Sequence, residues 1–335
     1  MSPSLSPDKK KILVFRLGAM GDILFTTPAL RGLKAEFPDS HLTYLTLKQW
    51  RFVVRNNPNV DRVIGIPYCH PKVLGPLVQE RFDIVINIFE SEDAARLCAA
   101  IPAVERRGNV WDGDRIVPDS RGFLLSGDRE TRFQEFRNGL SRAELSCRVA
   151  GVTPETLHYE YYPGKCENWR AGMFLTRKRL KRPIAIHLHS RGSSSRSWTP
   201  MLALEVVRRF PRERFLILGY RKDRVQTRLF KSEPNCVITE HSMPIQAALL
   251  ARCLLFVGID SGPRNMASAV GTPLLWLSGP VPKSIMPLLP NERNLSIDEP
   301  CAPCFQEDCP LGRDCLGHIP TERIVETVQE MLREA

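Results

Sequence analysis

Short apolar runs recur along the chain with longer amphipathic stretches between them. They fall at 11–16, 41–46, 62–66 and 83–89, and again in "PIAIHLHS", "RFLILG", "CVIT", "LLFVGID" and "PLLWLSG". Runs of this length, apolar throughout rather than alternating, predict strands buried on both faces. The stretches between them are spaced as helices near 22–37, 48–56, 71–81 and 92–100, then near 200–210, 222–231, 244–252 and 263–270. Strand and helix in alternation predict parallel sheets with helices on both faces. The pattern starts twice within 335 residues, so two doubly wound domains are expected rather than one.

A further helical stretch at 131–150 and the Pro-Gly of "YYPGKCENW" mark the passage between the halves. The expected organisation is a disordered leader over 1–10, a first domain over 11–165 and a second over 166–318. An amphipathic helix closes the chain over 319–335, with apolar residues at 324, 325, 328, 331 and 332. No apolar run reaches the roughly 20 residues that span a bilayer. "MSPSLSPDKKK" lacks the apolar centre of a signal peptide, so a cytoplasmic protein is expected. The net charge of +10 favours anionic partners without choosing among glycans, lipid headgroups and nucleic acid.

The first strand runs into "RLGAMGDILFTTPAL", which puts Asp22 directly after Gly21 in a glycine-bearing turn. Ligands of open parallel sheets bind beyond the carboxyl ends of strands, where helix N-termini point free amides at them. The loop is neither a dinucleotide fingerprint nor a Walker loop, because the third glycine and the G-K-[ST] are missing. Two readings of Asp22 stand at this point: a helix N-cap, or a carboxylate kept ionised by a helix dipole and able to accept a proton. Pro28 implies either a helix capped by Thr27 or one that starts near Gly21 and kinks.

Two strand ends in the second half carry phosphate-binding chemistry. "HLHSRGSSSRSWTP" offers Ser194, Ser195 and Arg196, suited to gripping a diphosphate, or equally a solvated Ser-rich loop. "GIDSGPRNMASAVGTP" places Asp260, Ser261, Gly262 and Pro263 at a helix start, where amides can meet phosphate and Asp260 can serve as a cap. Farther on, Cys301, Cys304, Cys309 and Cys315 form a C-x2-C-x4-C-x5-C series. That series is open to a structural zinc or iron site and equally to reduced or partly disulfide-linked thiols.

The pair "FRLGAMGDILFTTPALRGLKAEFP" and "FVGIDSGPRNMASAVGTPLLWLSGP", with "NNPNVDRVIGIP", "FDIVINI" and "RSW" in this order, resembles glycosyltransferase family 9, the ADP-heptose lipopolysaccharide heptosyltransferases. The resemblance implies a GT-B fold, two Rossmann-like domains facing a cleft, with acceptor mainly on the first and sugar nucleotide mainly on the second. It implies an inverting transfer of heptose from ADP-heptose to an inner-core acceptor without a catalytic metal or other cofactor. Asp22 matches the family's proposed general base, flanked by Gly18 and Gly21 on the acceptor side. Arg196 stands where a lysine commonly meets the diphosphate, and Asp260–Pro263 match the D-[ST]-G-P element beside the donor. Asn265 stands where a histidine is usual, and Asp223 only loosely matches an acid placed on the donor. Related enzymes that modify autotransporter proteins carry iron on cysteines.

The implied partners are a nucleotide sugar and an anionic glycolipid, with transient contact at the inner membrane's cytoplasmic face. A family member with another donor or a protein acceptor is the alternative within enzymes. A basic nucleic-acid-binding protein with a metal held by the four cysteines is the alternative from another class. It is disfavoured, because no nucleic-acid motif accompanies the charge.

Overall fold

The computed structural model describes residues 9–68, 75–121, 129–189, 195–220, 224–286, 288–306, 308–309, 311–312 and 315–335. Most of the leader, the start of the helical pattern at 71–81, Ser194 and Asp223 lie outside the described residues. The chain divides into two compact units, Met1–Tyr162 and Pro163–Ala335.

The first unit is built on five parallel strands: β1 (Lys11–Phe15), β2 (His41–Leu47), β3 (Arg62–Ile66), β4 (Phe82–Asn87) and β5 (Ala103–Gly108), in the order β3-β2-β1-β4-β5. Central β1 pairs with β2 on one side and β4 on the other, aligning Leu13 with Thr43 and Val85. Ile12, Leu13, Val14 and Phe15 are all buried, as a strand covered on both faces requires. The winding reverses between β1 and β4, which makes their carboxyl ends the topological switch point. Helix α1 (Met20–Leu24) and helix α2 (Thr27–Glu36) lead from β1 towards β2, and α3 (Glu92–Ala100) joins β4 to β5. A small ribbon, β6 (Val110–Trp111) with β7 (Ile116–Val117), precedes α4 (Arg129–Arg137) and α5 (Arg142–Ala150).

The structure departs from the sequence pattern in definite ways. The helix expected over 22–37 is two helices, the second with Pro28 in its first turn. The stretch 48–56 is a short 3-10 turn over Lys48–Val53. The helix expected over 131–150 breaks at Gly139, whose φ of +99° ends α4. Strand β5, "AVERRG", has no apolar run, and its arginines explain how it is tolerated. Arg106 donates to the carbonyls of Cys98 at 3.1 Å and Ile101 at 2.8 Å, and Arg107 donates to the carbonyl of Ala150. Each guanidinium thereby satisfies carbonyls at the end of a helix, α3 or α5.

The second unit has six parallel strands, β8 (Ile184–His187), β9 (Phe215–Leu218), β10 (Cys236–Thr239), β11 (Leu255–Ile259), β12 (Leu274–Ser278) and β13 (Glu292–Ser296). Their order is β10-β9-β8-β11-β12-β13, with the switch point between β8 and β11. Among the described residues six helices surround the sheet: α6 (Lys165–Arg177), α7 (Pro200–Arg208), α8 (Arg224–Thr227), α9 (Met243–Leu250), α10 (Gly262–Ala269) and α11 (Thr321–Glu334). α11 buries Ile324, Val325, Val328 and Met331 in the core of this unit. Edge strand β13, "ERNLS", is likewise unmarked by an apolar run. Its Glu292 is inside the protein because a charged partner waits there. Among the described residues no helix is long and apolar enough to cross a membrane.

Candidate functional site

At the first switch point the chain leaves β1 through Arg16, which bridges to the end of β4. Its guanidinium donates to the carbonyl of Ile88 and to Glu90 Oε2, each at 2.6 Å, and lies 4.8 Å from the Phe89 ring centroid. Asp22 follows as the third residue of α1, whose N-cap is Ala19. The carboxylate is therefore not the N-cap. It reaches back, and the Ala19 N–H donates to Asp22 Oδ2 at 3.1 Å. Alanine has no side-chain acceptor to return the bond, so this is one half of a capping box.

The other carboxylate oxygen takes two cations. Arg142 Nη1 donates to Asp22 Oδ1 at 2.8 Å, and Arg16 Nη2 lies 3.5 Å from the same atom. Burial pushes the Asp22 carboxyl up, but Arg16, Arg142 and the Ala19 amide outweigh it and hold the group below the ordinary carboxylate range. Burial likewise works against the Arg16 charge, and Asp22 and Glu90 more than restore it. The Asp22 side chain keeps 18% of its surface open and that of Arg142 keeps 40%, so a ligand can reach both.

Gly18 serves close approach rather than a turn. A Cβ on Gly18 would lie 2.8 Å from Asp22 Oδ2 and 3.2 Å from Arg16 Nε, which leaves no room for a side chain. Gly21 is inside α1, and neither glycine has a left-handed φ. Sequence reasoning does not reach Arg142. It is the first residue of α5 behind the Ser141 cap, 120 positions from Asp22, and no local pattern connects the two.

The second switch point is laced by side chains from both of its strand ends. Arg196, after β8, places Nη1 3.3 Å from Asp260 Oδ2, after β11. Ser261, not Asp260, caps α10: its Oγ accepts from the Arg264 N–H at 3.4 Å. The same Oγ lies 3.1 Å from His187 Nδ1 and 3.1 Å from the Ile259 carbonyl. Burial, helped by His189, pushes His187 down to about 3, so the imidazole is neutral at physiological pH. Gly262 and Pro263 form the first turn of α10, as the sequence implied. Ser195 is buried, and its hydroxyl donates to the Gln306 carbonyl at 2.8 Å, which ties this loop to the cysteine segment.

Behind the Ser261 cap lies an ion pair with no exposed side-chain surface. Arg264 Nη2 is 2.9 Å from Glu292 Oε2, and Ser268 Oγ donates to the other carboxylate oxygen. The guanidinium is 5.0 Å from the Trp276 ring centroid and 3.2 Å from Met286 Sδ, and Asn265 Oδ1 stands beside it at 3.5 Å. Burial pushes the Glu292 carboxyl up, against the opposing effects of Arg264 and Ser268.

All nine described cysteines are free thiols, so none of the four in the series is disulfide-linked. Burial pushes Cys315 up to about 11, reinforced by Cys309, Cys304 and Cys301. The four are thus neighbours. Among the described residues no group of three or more His, Cys, Asp or Glu side chains is placed to hold a metal ion.

Residues 222–314 match the model of glycosyltransferase family 9 (heptosyltransferase), a span that includes the Asp260–Pro263 turn and three of the four cysteines in the series. Over 89 residues the chain is 27% identical to lipooligosaccharide heptosyltransferase 2 of Campylobacter jejuni, a match covering 26% of this chain and 28% of that protein. The fold is shared over much more. A family 9 glycosyl transferase from Veillonella parvula superposes with a TM-score of 0.79 at 21% identity, covering 98% of each chain. The E. coli ADP-heptose LPS heptosyltransferase II does so with a TM-score of 0.73 at 19% identity, covering 97% of this chain and 99% of that one. The second unit thus carries a match to glycosyltransferase family 9, and the chain as a whole shares the GT-B architecture of two Rossmann-like units with these solved glycosyltransferases.

Proposed function

We propose that the protein transfers a heptose from ADP-heptose to the inner core of lipopolysaccharide at the cytoplasmic face of the inner membrane, inverting the anomeric carbon. The observation that carries this reading is Asp22, an open carboxylate kept ionised by two guanidinium groups at a switch point. In the proposed step Asp22 takes the proton from the acceptor hydroxyl as that oxygen bonds to the anomeric carbon. The bond from that carbon to the diphosphate breaks, and ADP leaves with the electron pair. Arg196 and the amides of Ser261 and Gly262 meet the charge that develops on the leaving oxygen.

Support comes from the family signature over 222–314, from the ADP-heptose in the name of the E. coli heptosyltransferase II that shares the fold, and from the basic charge, which suits an anionic glycolipid. The test pairs binding with turnover. Asp22→Asn should bind ADP-heptose as the parent does, by calorimetry, while transfer falls by about 10²–10⁴-fold. Transfer near the parent rate would remove Asp22 from the role of base.

Asn265, where the family usually has histidine, favours a second reading in which the donor sugar or the acceptor differs. A thermal-shift panel of ADP, UDP, GDP and their sugars separates the two, since the nucleotide bound by the native state raises its melting temperature.

A further inference from the structure

The chain's charge is not evenly spread. Between Lys165 and Arg182 there are seven basic side chains and one acid, Glu167, a net +6 of the total +10. This segment is α6 and the turn that follows it. The inner face of α6 is well fixed: Ala171 and Leu175 are buried, the Phe174 ring centroid lies 4.9 Å from that of His241, and Arg252 donates to Asn168 at 2.9 Å. The outer face is of another kind. Trp169 is 66% exposed and Met173 56%, one helical turn apart, with Arg170 and Arg177 exposed beside them.

Folding gains nothing from an open indole and an open thioether on the same stripe. The turn after α6 continues the theme, with Lys178, Arg179, Lys181 and Arg182 all exposed and, among the described residues, none engaged in an ion pair. Arg179 and Arg182 hold φ values of +53° and +45°, a left-handed backbone that L side chains seldom adopt. Strain of this kind concentrates at working segments.

We infer that this face rests on an anionic phospholipid membrane, with Trp169 and Met173 entering the headgroup boundary and the basic turn lying over lipid phosphates. A large amphipathic ring and an apolar side chain ringed by Lys and Arg make the pattern of a helix that lies in the interface plane. The charge also decides between occupants. A second copy would bring a second +6 against the first, so self-association through this face is opposed. One ring and one thioether on a helix give no track of stacking platforms for a single strand of nucleic acid. The inference does not depend on which sugar is moved, and its test needs no substrate.

The full chain is sedimented with vesicles of phosphatidylcholine alone and of phosphatidylcholine with phosphatidylglycerol. It should pellet with the second only, and salt should release it. Replacing Arg177, Lys178 and Lys181 by Gln should lower partitioning on the order of a hundredfold, about fivefold for each charge. Brominated lipid should quench part of the tryptophan emission of the parent, and Trp169→Phe should lose that quenching while still pelleting. Equal pelleting with both vesicles, a triple variant that pellets like the parent, or undiminished quenching in Trp169→Phe would each overturn the inference. So would a single-stranded oligonucleotide held more tightly than the vesicles, or a dimer that Trp169→Gln dissociates.

Discussion

Replacing Arg264 by Met should unfold the second unit early, by an amount and with a pH dependence that its buried partner sets. Arg264 and Glu292 have no exposed side-chain surface and meet at 2.9 Å. Removing one member of such a pair strands the other, at a cost of about 3–5 kcal/mol. For a unit of this size each kcal/mol moves the melting temperature by about 2–4 °C, so a drop of roughly 10 °C is expected. The pH dependence follows from Glu292. Burial already pushes its carboxyl up, and loss of Arg264 removes the largest opposing effect. A carboxyl raised in the folded state binds more protons there than in the unfolded chain. Stability then falls as pH rises from the unfolded value through the folded one. Arg264→Met should therefore lose more against the parent at pH 8 than at pH 5. Adding Glu292→Gln should recover most of the loss at pH 8 and flatten the dependence, because the amide needs no counter-charge and still accepts from Ser268. Calorimetry at the two pH values is the assay. A loss under about 1 kcal/mol, a loss independent of pH, or no recovery in the double variant would refute the stranded-charge account.

Other expectations concern the two switch points. Arg142→Ala takes away one of the cations that hold the Asp22 carboxyl low, so the acid limb of kcat/KM should move to higher pH; an unmoved limb would show that Arg142 does not act on Asp22. In the parent the stabilising contribution of this depressed carboxyl is present above its ordinary value and is lost as pH falls through the folded one. Gly18→Ala puts a methyl group 2.8 Å from Asp22 Oδ2 and should cut transfer through displacement of the carboxylate, with the fold retained by circular dichroism. Arg196→Ala should weaken ADP binding by about 1.5–3 kcal/mol, the worth of a charged hydrogen bond, and unchanged affinity by calorimetry would remove Arg196 from the donor side.

Much of the fold is legible in the sequence because most strands are apolar runs buried on both faces. β5 and β13 are not, since both are edge strands whose charged residues find partners only after folding. Arg106 and Arg107 meet helix-end carbonyls, and Glu292 meets Arg264. The site divides in the same way. Asp22 and Asp260–Pro263 sit at strand-to-helix junctions that sequence spacing marks. Arg142 is invisible to any local reading because the fold alone brings it 120 positions back to Asp22. The capping roles also move, from Asp22 to Ala19 and from Asp260 to Ser261, because a cap depends on where the helix begins, to within a single residue.

The pairing of Arg196 with Asp260 bears on selectivity. An unaccompanied arginine at the end of a strand would collect any small anion in solution. Here the position is already occupied by a carboxylate 3.3 Å away, so an arriving anion must trade places with it. A free orthophosphate, with one short set of oxygens, gains little in that exchange. A diphosphate that also reaches the Ser261 and Gly262 amides has additional bonds with which to drive it. On the proposed reading of this strand end as the donor site, Asp260 sets a threshold that simple phosphates do not meet and a nucleotide diphosphate does.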